Sequence, residues 1–200
     1  MADTYNAARL FESAFAHAAT GMALVGLNGR CLQVNRALCG MLGYSEKELL
    51  GLSFQAIAHP RDLHRDLAQL NALLAGNVSS YQVEKRYFHK NGSMIWVQLN
   101  VSMVRKDDGR PDFFISQINN ISARKQAEAE RDVFFSLSVD MLSVAFTDGY
   151  LEKVNQASAD ALGWSAQELT EQPIIEFVHP DDREATLTEA ELACGGTPSY

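Results

Sequence analysis

The chain is short of several things, and each shortage removes a class of function. Cysteine is one: Cys31, Cys39 and Cys194 form an odd set without metal-ligand spacing, which suits a reducing, cytoplasmic setting. No apolar run approaches the roughly eighteen residues needed to span a bilayer, and no membrane span is expected. The opening "MADTYNAARLFESAFAHAAT" lacks a basic stretch followed by an apolar one, so no signal peptide is expected. The histidines His17, His59, His64, His89 and His179 include no H-E-x-x-H or paired spacing, and no metal site is predicted. No serine or cysteine sits in a nucleophile motif, and no glycine-rich loop is present to cradle a phosphate. Catalysis within these residues is therefore not expected. Basic residues are scarce in one region: residues 129–200 carry 3 Lys+Arg against 14 Asp+Glu, whereas residues 1–128 carry 14 against 11. An acidic surface repels phosphates, so no nucleic-acid partner is expected there.

What is present is a long repeat. From Asn28 to Gly76 each residue has a counterpart 120 positions later, with no gap. Gly29 matches Gly149, Val34-Asn35 matches Val154-Asn155, and Leu42-Gly43 matches Leu162-Gly163. Ser45, Glu48 and Leu49 match Ser165, Glu168 and Leu169; His59-Pro60 and Asp62 match His179-Pro180 and Asp182. Such a period decides how many folding units there are. It predicts an N-terminal amphipathic helix in residues 1–20, a complete domain at 21–121, a connector helix at 122–139 and an incomplete second copy at 140–200. Lacking counterparts of residues 81–118, that second copy is expected to be the less stable part, or the chain a fragment of something longer.

Local signals fill in the elements. Ala8, Phe11, Phe15 and Ala18-Ala19 have helical spacing. Asn28-Gly29 favours the tight turn of a hairpin between Met22–Leu27 and Arg30–Val34. Asn35 reads as the N-cap of a short helix ending at Leu42, with Gly43 as its left-handed terminator. Ser45 and Glu48 form a capping box. His59 precedes a helix with Pro60 at its first position and runs to about Ala75, with Leu63, Leu67, Leu70 and Leu74 on one face. Strands follow at Tyr81–His89, Met94–Val104 and Asp112–Ile118. In the middle one, Ile95, Val97, Leu99, Val101 and Met103 alternate with a half-polar face containing Trp96. Residues 121–138 read as a helix with a weak apolar stripe of Ile121, Ala129, Val133 and Leu137.

This order resembles the PAS sensor family. The residues that carry the resemblance are "NG" and "DG" before "VN" (Asn28-Gly29 with Val34-Asn35, Asp148-Gly149 with Val154-Asn155) and "LGY" and "LGW" with their capping boxes. "HPRD" and "HPDD" open the long helices, and "EKRYFHKNGSxxW" runs from Glu84 to Trp96. The stretch Asn119-Asn120-Ile121-Ser122-Ala123-Arg124-Lys125 is similar to the family's closing "DITERK", with Asn120 in place of the usual Asp, which loses a charge. The resemblance implies an α+β fold: a five-stranded antiparallel sheet in order 2-1-5-4-3, flanked by short helices. It also implies a sensory module, usually a homodimer, upstream of a downstream PAS unit and an output domain such as a histidine kinase or diguanylate cyclase. No motif of either enzyme is found in this chain.

Several residues become candidates. Met41, Phe54, Ile57, Val97, Leu99, Phe114, Ser116 and Ile118 are expected to converge between sheet and short helices as a ligand pocket, or as a filled core. Ser116 is expected to be its inward-facing polar group. The reactive cysteine of flavin-adduct relatives would fall at Phe54 and their flavin-contacting glutamine at Ile118. Both positions are apolar, which speaks against a covalent adduct and leaves noncovalent flavin or another small molecule open. A haem ligand would fall at Arg65 rather than His64, which speaks against haem. Asn120, Ser122 and Arg124 are the expected relay into the connector helix. Phe11, Phe15 and Trp96 are the expected interface of a dimer, which is also what a ligand-free scaffold would use.

Overall fold

The computed structural model describes residues 7–194, and the chain divides between Gln126 and Ala127 into two compact units. The division falls inside a helix, α6 below, between the expected boundaries near 121 and 139.

In the first unit, α1 (Ala7–His17) precedes a hairpin of β1 (Gly21–Gly26) and β2 (Cys31–Val34). Asn35 then caps α2 (Arg36–Leu42), its Oδ1 accepting the Leu38 N–H at 3.0 Å. Gly43 ends that helix at φ 74°, where a Cβ would cost energy. Ser45 and Glu48 complete the capping box of α3 (Glu46–Gly51). A short α4 (Phe54–Ile57) leads to α5 (Pro60–Leu74), whose N-cap His59 accepts the Arg61 N–H on Nδ1. Three strands follow: β3 (Ser80–Phe88), β4 (Met94–Arg105) and β5 (Pro111–Asn120). Each extends a residue or two beyond what the alternation predicts at one end or both.

The five strands form one antiparallel sheet in order β2-β1-β5-β4-β3. Leu99 of β4 lies between Val83 of β3 and Ile118 of β5, so one face collects Val83, Val97, Leu99, Val101, Phe114 and Ile118. The helices cover that face with Leu38, Leu42, Leu49, Ile57 and Leu73.

β3 is an edge strand, which would normally offer unpaired backbone groups to another chain. Here α5 and its N-cap engage those of Glu84 and Arg86. Arg65 Nη2 donates to the Glu84 carbonyl at 2.6 Å, Asp62 Oδ2 accepts the Arg86 N–H at 2.9 Å, and the His59 N–H donates to the Arg86 carbonyl at 2.9 Å.

The second unit repeats the opening. The connector helix α6 (Ser122–Leu137) is followed by a hairpin of β6 (Ser143–Ala145) and β7 (Leu151–Val154). Asn155 and Gly163 (φ 76°) cap α7 (Gln156–Leu162), and Ser165 with Glu168 boxes α8 (Ala166–Glu171). His179 again accepts an N–H two residues on, but the segment it opens begins as a 3-10 turn (Pro180–Asp182) before α9 (Arg183–Cys194). Among the described residues of this unit, β6 and β7 are the strands.

Candidate functional site

Alternation along β3 sends Val83, Lys85 and Tyr87 inward and Glu84 and Arg86 outward. Lys85 is thus buried, with 1% of its side chain exposed. Its Nζ lies 2.5 Å from Asp66 Oδ2, and Tyr81 Oη donates to Asp66 Oδ1 at 3.1 Å. The ammonium also stands 4.9 Å from the Tyr87 ring centre and 5.5 Å from that of Phe54, within cation–π range. Burial alone would push the Lys85 pKa down, yet Tyr87 and Asp66 beside it hold it above the ordinary value, so the ammonium keeps its proton. Burial, then Asp66, raises the Tyr81 phenol, and burial raises Tyr87, so both stay neutral.

These groups surround a cavity of about 30 Å³ whose wall also includes Val25, Phe54, Leu70, Leu99, Val101, Phe114 and Ser116. That is the space of about one water molecule, whereas small-molecule sites usually occupy about 300 Å³ or more. Among the described residues every buried side-chain nitrogen and oxygen has a hydrogen-bond partner. The buried polar groups around this cavity are satisfied within the chain.

The expected pocket residues divide between two places. Phe54, Leu99, Phe114 and Ser116 line the cavity. Val97, Ile118 and Ile57 are buried elsewhere in the same core, and Met41 packs against it half-buried. Ser116 is not the sole inward polar group: Lys85, Asp66, Tyr81 and Tyr87 share the cavity. Each member of the Lys85–Asp66 pair left a separate signal in the sequence. Glu84-Lys85-Arg86 puts three charges in a row on a strand, so one must face the core. Asp66 lies between Leu63 and Leu70 on the apolar face of α5 and is the acid that can meet it. His64 is exposed, and Arg65 is engaged with the Glu84 carbonyl.

The root of α6 is tied to the outer face of the same strands. Asn120 Oδ1 accepts the Ser122 N–H at 2.9 Å, so the amide that replaces the usual carboxylate still caps the turn. Ser122 Oγ accepts the Trp96 N–H, and the Ile121 N–H donates to the Trp96 carbonyl, both at 2.9 Å. Arg124 Nη2 and Lys125 Nζ reach the Glu84 carboxylate at 2.6 and 2.8 Å. Lys125, then Arg124, holds that carboxyl below its ordinary pKa. Trp96 is half-buried, with Arg86 and Lys125 at 5.4 and 5.6 Å from its ring. Glu84 and Lys125 complete a group of which the sequence named Asn120, Ser122 and Arg124.

Of the expected interface residues, Phe11 is 49% exposed. Phe15 stacks on it at 5.9 Å but is only 3% exposed, because α1 packs on α2 and turns this ring inward. Phe15 is a core residue and not an interface residue.

Among the described residues no helix is long and apolar enough to cross a membrane, and no cluster of His, Cys, Asp or Glu could hold a metal ion.

Comparison with known families agrees with this geometry at both repeats. The family described as "PAS fold" matches residues 32–118, and that described as "PAS domain" matches residues 139–193. The chain belongs to the PAS family and carries two PAS regions, of the kind found in signalling proteins. It is 48% identical over 118 residues to the probable diguanylate cyclase DgcE of Escherichia coli (strain K12), covering 59% of this chain. It is 31% identical over 118 residues to the sensor histidine kinase TmoS of Ectopseudomonas mendocina, also covering 59% of this chain. The match spans only 11% and 12% of those relatives' lengths, and what it shares with them is PAS sequence. Among solved structures, the PAS domain of a Colwellia psychrerythraea protein superposes with a TM-score of 0.56 at 16% identity, covering 60% of this chain and all of that one. A sensory box histidine kinase/response regulator from Burkholderia thailandensis E264 gives 0.50 at 25% identity, covering 62% and 92%.

Proposed function

We propose that the first PAS region senses a small ligand or a partner and relays the change through α6 to the second region, and from there to an output domain. The observation that carries this reading is the alternation of β3. Lys85 grips Asp66 inside the core, and its neighbour Glu84 grips Arg124 and Lys125 of α6 outside. A shift of β3 that accommodates a change at the cavity moves the anchor of α6 with it, which is the coupling a two-state relay needs. Ser122 and Asn120 tie β5 to the same helix. The names of the relatives make a diguanylate cyclase or histidine kinase the output to expect in the whole protein; action in the cytoplasm and as a homodimer belongs to the same proposal.

The test uses the protein joined to its output domain. Ala127→Pro interrupts α6 just beyond its anchor, and regulation of the output should be lost; output that stays regulated rejects the relay. Mass spectrometry and an absorbance spectrum of the purified chain should reveal a co-purifying small molecule if the cavity opens to one.

A second reading, a ligand-free dimerisation scaffold, draws on the water-sized cavity and on Leu10 and Phe11, each 49% exposed on α1. It predicts no bound molecule, and a dimer that dissociates when residues 1–19 are removed.

A further inference from the structure

Two asparagines 120 positions apart, Asn35 and Asn155, are each 2% exposed and share four corresponding bonds. Asn35 Oδ1 accepts the N–H groups of Met22 (2.9 Å) and Leu38 (3.0 Å); Asn155 Oδ1 accepts those of Leu142 and Ser158, both at 3.0 Å. Asn35 Nδ2 donates to the carbonyls of Ala18 (3.5 Å) and Thr20 (2.9 Å), as well as to that of Phe15 (3.1 Å). Asn155 Nδ2 donates to the carbonyls of Ser138 (3.3 Å) and Asp140 (2.8 Å), which stand 120 positions after Ala18 and Thr20. Phe15 and Phe135 share a repeat position as well, and Phe135 is half-buried.

The structural repeat therefore begins well before Asn28. Residues 127–137 of α6 are to the second region what α1 is to the first, and the division of the chain at 126/127 falls where that correspondence starts. One uninterrupted helix is both the exit of the first region and the entrance of the second.

We infer that Asn155 is the residue through which the second PAS region reads the position of α6. It is a positioning residue, and the inference rests on the relay reading above. A carboxamide is planar, with its donor and acceptor in fixed relation. Its donor side holds the carbonyls that leave α6, and its acceptor side holds the first amide of the hairpin and the N-terminus of α7. If the end of α6 moves, either these buried bonds break, at the full cost of unpaired buried groups, or the hairpin and α7 move with it. The side chain converts a helix displacement into a displacement of the second region's opening elements. Asp at this position keeps the acceptor, and with it the helix cap, but has no donor for Ser138 and Asp140, which separates reading from capping.

The test is hydrogen exchange on the intact 200-residue chain. Glu84→Gln weakens the anchor of α6 in the first region, and the amides of β6 and β7 are the readout. With Asn155 present, Glu84→Gln should speed their exchange about two- to fivefold, the range an exposed ion pair commands. In an Asn155→Asp background the same substitution should add nothing, while Asn35→Asp should leave the transfer intact. Asn155→Ser, which keeps a cap but cannot span both carbonyls, gives the same comparison if Asn155→Asp unfolds the second region. Transfer that persists without Asn155 overturns this assignment and leaves the relay standing. If Glu84→Gln fails to reach β6 and β7 even with Asn155 present, the relay reading falls, and this inference with it.

Discussion

Leu42 and Leu162 occupy the same place in the repeat, the last turn of a seven-residue helix closed by a left-handed glycine. Leu42 is 0% exposed and Leu162 47% exposed. The difference comes from β3, β4 and the turn between them. There the Lys90 N–H donates to the Leu42 carbonyl at 2.9 Å, the His89 ring lies over Gly43, and Lys90 pairs with Glu48 at 2.6 Å. Leu49 and Leu169, by contrast, are buried alike, since each lies under its own hairpin. Capping and hairpin geometry are thus local properties that both copies possess, whereas burial of the next layer needs strands that only the first unit has among the described residues.

The largest expected contrast lies where the second unit has no counterpart at all. Lys85→Met strands Asp66 in the core and should cost about 3–5 kcal/mol in the urea unfolding of the first unit. Adding Asp66→Leu should restore most of the loss, because the penalty is that of a lone buried charge. Next, Leu42→Ala should cost about 2–5 kcal/mol and Leu162→Ala less than about 0.5 kcal/mol, read by calorimetry. Equal losses would mean the second unit buries Leu162 in solution.

Smaller contrasts follow from the caps. Gly163→Ala should cost about 1–2 kcal/mol for a Cβ in the left-handed region. Gly43→Ala should cost more in the same unfolding measurement, because its Cβ would also come within 2.4 Å of the His89 ring. Ser45→Ala and Ser165→Ala should each cost about 1 kcal/mol, and unequal values would show that the capping boxes are not independent of their surroundings.

The smallest effect concerns acid. Glu48 is held down from 4.5 to about 2, first by Lys90 and then by Ser45, whereas Glu168 is lowered through Ser165. A depressed carboxyl stabilises the fold above its unfolded pKa and loses that contribution as pH falls through the folded one. The Glu48 contribution should therefore fade between pH 4.5 and about 2. Lys90→Met should remove part of it, seen as a flatter dependence of Tm on pH in that window for the first unit alone.

Much of this was legible beforehand. Asn35, Gly43, Ser45 with Glu48, and His59-Pro60 act through neighbours within a few residues, and each forms the predicted cap; Asn28-Gly29 marks the hairpin, but as part of a longer Leu27–Arg30 loop in which Gly29 alone takes a positive φ. The strand order followed from family resemblance and not from pattern. The site was less legible. Phe15 has the same spacing as Phe11 and lies in the core, because helical periodicity identifies a face but not what covers it. The Lys85–Asp66 pair is not legible as a pair, because hydrophobic pattern points to apolar positions and passes over a charge that is neutralised in place.

The sequence by itself determined that this protein contains one motif twice, that both copies are PAS regions, and where each turn and cap falls, since these depend on backbone preferences and short-range hydrogen bonds. Only the tertiary structure decided that the cavity between sheet and helices has about the space of one water, that β3 holds α5 on one side and α6 on the other, and that α6 ends one region and begins the next. Those outcomes turn on side chains 19 to 40 positions apart meeting at hydrogen-bond distance, and no local rule of sequence carries that far.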